Sequence, residues 1–212
     1  MRHRDGSGIR PKVAMHGLRT VAYAGSVLSC LLLLAGCSFP GSVKPTVKIG
    51  LSAPFEGLYR DLGYEALYGA RLAVRERNAA GGVGQRFLVE LVALNDFGEA
   101  DKAVVQARKM AVDSQILGVL GGFFVEGASV AGEYERLGLT YLTPTVDITR
   151  EDALVTVAAD FESRYADQSG GAEPGPVAVW AYSTANRLLD AIDTVVRAGG
   201  QPSRSRVQSA LK

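Results

Sequence analysis

Histidine and cysteine are almost absent from this 212-residue chain, and the few present crowd at one end. His3, His16, Cys30 and Cys37 are the whole set. Beyond Cys37 neither residue occurs, which excludes internal disulfides and the usual Cys/His zinc sites from that region. It also excludes Ser-His-Asp and Cys-His nucleophilic machinery there. Carboxylate chemistry survives this filter, but no G-x-S-x-G pattern is present. No catalytic residue, metal site or cofactor is assigned on these grounds, and an enzyme is disfavoured. Asp96 follows an apolar segment and is a conceivable cation ligand, yet no second carboxylate accompanies it in a suitable pattern.

Long apolar runs are scarce too, apart from Val21 to Gly36. Ahead of that run lie Arg2, Arg4, Arg10, Lys12 and Arg19, and it closes on Leu34-Ala35-Gly36-Cys37. A basic stretch, an apolar stretch and small residues before a cleavage point make a secretory signal peptide. The cysteine after Ala35-Gly36 resembles the bacterial lipoprotein version, in which Cys37 is acylated and becomes the mature N-terminus. A transmembrane anchor is the alternative. Against it, the run has 16 residues and contains Gly25, Ser26 and Ser29, short of the roughly 20 that a spanning helix needs. The expected location is extracytoplasmic, tethered to the cell membrane.

Removing residues 1–36 leaves Cys37 to Lys212, 176 residues, enough for one domain with a proper core. The leader carries five of the 23 basic and one of the 22 acidic residues, which leaves 18 against 21. These charges are mixed along the chain, and no basic patch points to nucleic acid. Residues 37–45 are rich in Ser, Gly and Pro and read as a tether. Residues 46–212 read as a single lobe, with βα units over 46–150 and a helical C-terminal part over 151–212.

Within that lobe the pattern alternates. Val47, Ile49 and Leu51 mark a strand ending at Ala53-Pro54. A helix from Arg60 to about Asn78 follows, stopped by Ala79-Ala80-Gly81-Gly82. Phe87 to Leu94 is a second strand, Glu99 to Val112 a helix, and Ile116 to Leu120 a third strand. A helix from about Glu126 to Leu137 and a short strand from Leu139 to Leu142 complete the series. Beyond Arg150 the plan changes to a helix over Ala153–Tyr165, a Gly/Pro loop, a long helix ending at Gly199-Gly200 and a last helix from Ser203 to Leu211. Gly81-Gly82-Val83-Gly84 follows a helix and precedes a strand, the reverse of a phosphate loop, so it reads as a turn. The alternation predicts an α/β fold: a three-layer, doubly wound parallel sheet of about four strands with helices on both faces. Ligands in such sheets gather at the carboxyl ends of the strands.

Two segments carry a family resemblance. One is VKIGLSAPFEGLYRDLGYEALYGARLAVRERNAAGGVGQRFLVELVALND, continuing through Gly121-Gly122 to Tyr141-Leu142-Thr143-Pro144. The other is EPGPVAVWAYSTANRLLDAI, from Glu173 to Ile192. Both resemble the leucine/branched-chain amino acid-binding family of type 1 periplasmic binding proteins. The resemblance implies an extracytoplasmic receptor that hands a small, amino acid-like solute to an ABC permease. It also implies two lobes closing on the ligand. Here the bulk of lobe two, due near Arg150-Glu151, and the closing strands after Leu211 have no counterpart, so one lobe is expected. Losing half the contacts would take a binding free energy of about −8 kcal/mol to about −4, roughly micromolar to millimolar. The face that meets lobe two would then be an apolar patch open to a dimer mate or a second-lobe partner. The alternative function is a single-lobe interaction or sensory lipoprotein, or a remnant without binding activity.

The resemblance also places the site. Small hydroxyl residues of the family hold the ligand's carboxylate and ammonium in the loop after strand three, where this chain has Phe124, Val125, Glu126 and Gly127. Glu126 is either a ligand contact or a favourable first-turn residue for the next helix. A second place follows the Thr-Pro pair and holds Thr145 and Asp147. Asp147 either takes an ammonium group or caps the turn into Ile148-Thr149-Arg150. Tyr59 and Leu62 supply an apolar wall for a side chain. The family's frequent disulfide between the loops after strands two and three cannot form, because Gly98 and Phe124 occupy the approximate positions. Trp180 and Tyr182 read as core or interface residues.

Overall fold

The structure, a computed structural model, describes residues 44–123, 127–143 and 158–212, and Lys44–Lys212 form one compact unit. Four strands, β1 (Thr46–Ala53), β2 (Leu88–Asn95), β3 (Ile116–Leu120) and β4 (Thr140–Leu142), make one parallel sheet in the order β2-β1-β3-β4. Helices α1 (Arg60–Ala79), α2 (Ala100–Val112) and α3 (Gly127–Arg136) connect them in turn. After β4 come α4 (Phe161–Ser169), α5 (Pro176–Arg197) and α6 (Arg204–Ala210). Among the described residues no helix is long and apolar enough to cross a membrane.

The period-two alternation of β1 divides the core. Val47, Ile49, Leu51 and Ala53 are buried against α1 and α5, with Ala66, Ala70, Leu188 and Ile192. Lys48, Gly50 and Ser52 take the opposite face, where Ala103, Ala107, Met110, Val130 and Tyr134 of α2 and α3 pack. Gly50 has no room for a side chain there, since a Cβ would fall 2.7 Å from the Met110 sulfur. Pairing of β3 with β1 slips once: Lys48 faces Ile116, but Gly50 faces Val119. Leu117 and Gly118 therefore both stand opposite Ile49, a β-bulge. Both turn to the α5 side, where Leu117 joins that core and a Cβ on Gly118 would meet Leu188 at 2.8 Å.

α1 and α5 approach unusually closely. A Cβ on Gly69 would lie 2.3 Å from the Ala178 carbonyl oxygen, so the crossing depends on glycine. On the outer side of this pair, α4 seats Phe161 and Tyr165 beside Leu72, Ala178 and Val179. Arg164 of α4 pairs with Glu76, which also accepts the Tyr182 hydroxyl at 2.7 Å. At the amino pole Arg204 of α6 donates to the carbonyls of Ile116 (3.0 Å), Ala111 (3.0 Å) and Asp113 (2.7 Å).

The strand and helix bounds fall within about two residues of the sequence expectation, except for the helix placed at Ala153–Tyr165. There the structure has a turn at Ala159-Asp160 and a helix only from Phe161, running on to Ser169. Residues 166–169 add no apolar stripe, so periodicity gave no reason to extend past Tyr165. The stop is set instead by Gly170 in the left-handed conformation, φ 79°. Residues 153–157 lie outside the described residues. The Gly81–Gly84 segment is a turn, with positive φ at Gly81, Gly82 and Gly84 and a bridge from Val83 to Phe87. Trp180 is buried, packed edge-on against Phe123 with ring centroids 4.8 Å apart.

Candidate functional site

The strand order reverses direction between β1 and β3: the chain leaves β1 toward β2, and leaves β3 toward β4. The loops after these two strands part company there, and α/β sheets bind ligands at the carboxyl ends of the strands around such a switch point. The first loop is the segment Pro54–Tyr59 with the first turn of α1. Gly63 seats that turn, because a Cβ on it would fall 1.7 Å from the Pro54 carbonyl oxygen. The second begins at Gly121-Gly122. The Gly121 N–H donates to the Leu142 carbonyl at 3.0 Å, and a Cβ there would strike the Tyr141 hydroxyl at 2.7 Å.

Tyr59 and Leu62, assigned to the apolar wall, stand at this edge. Tyr59 is the residue before α1 and is 41% exposed, and Leu62 is half-buried against the core under α1. Gly127 opens α3, the helix that follows β3. Phe124, Val125 and Glu126, and likewise Thr145 and Asp147, lie outside the described residues, as does Cys37. Three of the eight binding candidates thus fall within the described residues, Tyr59 and Leu62 after β1 and Gly127 after β3. The rim also carries Leu58, 90% exposed, and Phe97, 42% exposed.

Sequence reasoning did not identify the polar scaffold under this rim. Asp96, raised there only as a cation ligand, is 1% exposed and accepts from the Ser52 hydroxyl (2.8 Å) and the Gly98 N–H (3.0 Å). Burial pushes its carboxyl above the ordinary value, partly offset by those two donors. Asn95 joins the first two loops: its Oδ1 accepts from the N–H groups of Phe55 (2.9 Å) and Phe97 (3.0 Å). Gln106 holds the Asn95 carbonyl at 2.8 Å. Tyr134 and Tyr141 stack beside this cluster at 4.1 Å and 8°. Burial raises the pKa of both hydroxyls, and the Asp96 charge adds to it, so they stay protonated. The available signal was the run Asn95-Asp96-Phe97-Gly98, an Asx-type turn directly after a strand. Among the described residues no group of three or more His, Cys, Asp or Glu is placed to hold a metal ion.

A parallel sheet wound on both faces, with a polar scaffold beneath its carboxyl edge at the switch point, is an architecture in which α/β domains bind ligands. Residues 46–156, half of the chain, match the sequence profile described as "Periplasmic binding protein", and the chain belongs to that family. It is 34% identical over 115 residues to "Leu/Ile/Val-binding protein homolog 7" of Brucella melitensis, an alignment covering 54% of this chain and 28% of that protein. It is 31% identical over 100 residues to "Amino acid binding protein" of Pseudomonas aeruginosa, covering 46% and 26%. The chain thus spans little more than a quarter of the curated relatives it matches. Among solved structures, the branched-chain amino acid transporter substrate binding protein LivJ of Streptococcus pneumoniae, in complex with isoleucine, superposes with a TM-score of 0.64. That match has 13% identity and covers 78% of this chain and 87% of that one, so it speaks to the fold alone.

Proposed function

We propose that this protein is an extracytoplasmic solute-binding lipoprotein serving an ABC uptake system, with an amino acid or related small polar solute as ligand. The observation that carries this reading is the switch point between β1 and β3 in a chain of this family. Tyr59 and Leu62 form the apolar wall, and the N-terminus of α3 at Gly127 offers backbone N–H groups. Thr145 and Asp147 complete the polar side, Asp147 as partner for an ammonium group. Cys37 carries the lipid that holds residues 46–212 at the membrane through the tether of 37–45. An ABC permease is the partner to which the solute passes. The names of the two bacterial relatives support the amino acid class.

Isothermal titration of the full chain in detergent against leucine, isoleucine, valine and glutamine tests this. Saturable binding, weakened in Tyr59→Ala, is the expected result. A flat titration with every solute overturns it. Mass spectrometry of the membrane fraction checks acylation at Cys37, and Cys37→Ser should release the protein into the soluble fraction.

A second reading is favoured by Leu58 and Phe97, which present large apolar surface on the same rim. In it the rim docks a second copy of the chain or a separate second lobe, and the protein works as an interaction lipoprotein. Sedimentation of wild type against Leu58→Ser decides: a dimer dissociated by the substitution supports this reading, and a monomer in both removes self-association.

A further inference from the structure

Strands β1 and β2 stay in register to their last pair, Ala53 opposite Asn95, and the Asp96 N–H still donates to the Ala53 carbonyl at 3.2 Å. Beyond that bond the backbone ladder stops. The Asn95 carbonyl accepts from the Gln106 side chain at 2.8 Å, and the Asp96 carbonyl from the Glu99 N–H at 2.9 Å, which turns the chain into α2. Two segments leave the sheet here: the loop after β1, which leads to Tyr59 and Leu62, and the loop after β2, which carries Phe97.

A single atom joins them. Asn95 Oδ1 accepts from the Phe55 N–H at 2.9 Å on one loop and from the Phe97 N–H at 3.0 Å on the other. Two donors fix which way the amide faces. Its other end makes no such bond: Nδ2 is shut off from water and has no hydrogen-bond partner among the described residues. A buried donor left unpaired is costly, so what the side chain contributes is the oxygen, one acceptor shared by two loops.

Phe97 shows what that acceptor holds. Its φ is 58°, in the left-handed region that bulky side chains rarely adopt. The bond from Phe97 to Asn95, followed by that from the Gly98 N–H to Asp96 Oδ1 at 3.0 Å, makes two Asx turns in succession that offset the strain. Phe55 is half-buried against the α5-side core, with its ring centroid 5.8 Å from that of Tyr64 on α1. The strained loop is thereby fastened to a segment that the core already holds.

We propose that Asn95 is a positioning residue: through Oδ1 it couples the loop after β1 to the loop after β2, so that loosening one loosens the other. Its effect on ligand rests on the solute site lying at this edge; the coupling itself does not.

Amide hydrogen exchange, followed by NMR on the full chain in detergent, reads the coupling without ligand. Asn95→Leu keeps the size and removes the acceptor, whereas Asn95→Asp keeps the acceptor and gives up the unpaired donor. Exchange at Phe55 and Phe97 should be about tenfold faster in Asn95→Leu and within about threefold of wild type in Asn95→Asp. Ile49 and Leu51 should exchange as before in both. Should Asn95→Leu not fold, Asn95→Ala carries the same comparison. Wild-type exchange at either amide once the acceptor is gone, or equal acceleration in Asn95→Asp, overturns the proposal. Calorimetry with leucine, isoleucine, valine and glutamine reads the consequence. Whichever saturates the wild type should bind about tenfold more weakly to Asn95→Leu and within about threefold to Asn95→Asp, and equal affinity in all three proteins overturns the positioning role. Binding of none of the four overturns the receptor and with it the effect on ligand, while the exchange comparison still decides the coupling.

Discussion

Strand β1 turns Val47, Ile49, Leu51 and Ala53 toward α1 and α5, and Lys48, Gly50 and Ser52 toward α2 and α3. On the first side the strand meets an unbroken apolar mass closed by α6. On the second it meets a smaller core whose carboxyl end is polar, with Ser52, Asp96, Tyr134 and Tyr141 beneath the switch point. One strand therefore serves two purposes, selected by the parity of its residues. Burial of large hydrocarbon area gives the α5 side its stability. Hydrogen bonds to loop backbone give the α2 side its control over where the loops at that edge stand.

If that division holds, Leu188→Ala should have the largest effect. Leu188 is fully buried above the bulge at Gly118, and the substitution should cost about 2–5 kcal/mol in urea unfolding. Next comes Asp96→Ala, which strands the Ser52 hydroxyl and the Gly98 N–H; leaving buried donors unpaired costs about 1–3 kcal/mol. The same variant should weaken solute binding beyond its loss of stability, by moving the loop that carries Phe97. A Leu188→Ala protein that binds as poorly as Asp96→Ala would erase the distinction between the two sides.

The pH response sharpens the contrast within the α2 side. Asp96 titrates above its unfolded value of 3.8 when folded, so the folded state holds the proton more tightly. Its contribution is greatest at low pH and is lost as pH rises through the raised pKa. Asp96→Asn should remove that slope from a series of urea midpoints. Glu133 behaves oppositely: hydrogen bonds from Arg136 and then Arg108 hold its carboxyl down at about 2. The stabilisation from Glu133 is present above its unfolded value of 4.5 and vanishes as pH falls through about 2. Glu133→Gln should flatten the acid limb alone. The smallest effect belongs to Leu58→Ser on the rim, within about 0.5 kcal/mol of wild type in stability.

Much of this fold was legible in advance because its signals are local. Ile116 to Leu120 is a continuous apolar run bounded by Gln115 and Gly121, and it is the strand. Ala79 to Gly82 announced the end of α1 through glycines that adopt positive φ. Long-range facts left no such trace. Nothing in the order Ile-Leu-Gly-Val-Leu says that Leu117 and Gly118 will stand opposite one residue of β1. The closeness of Gly69 to Ala178 joins positions more than a hundred residues apart. Tyr59 and Leu62 follow β1, a position that a strand ending at Ala53-Pro54 already announces. Asp96 was noticed only as an isolated carboxylate, because its burial and its bonds to Ser52 and Gly98 leave no mark in the order of letters.

Arg204 has a mechanical corollary. Its guanidinium grips three carbonyls on the segment that feeds β3, so the last helix is riveted to the amino end of β3. A load on that helix is therefore delivered straight into the strand that ends at the switch point.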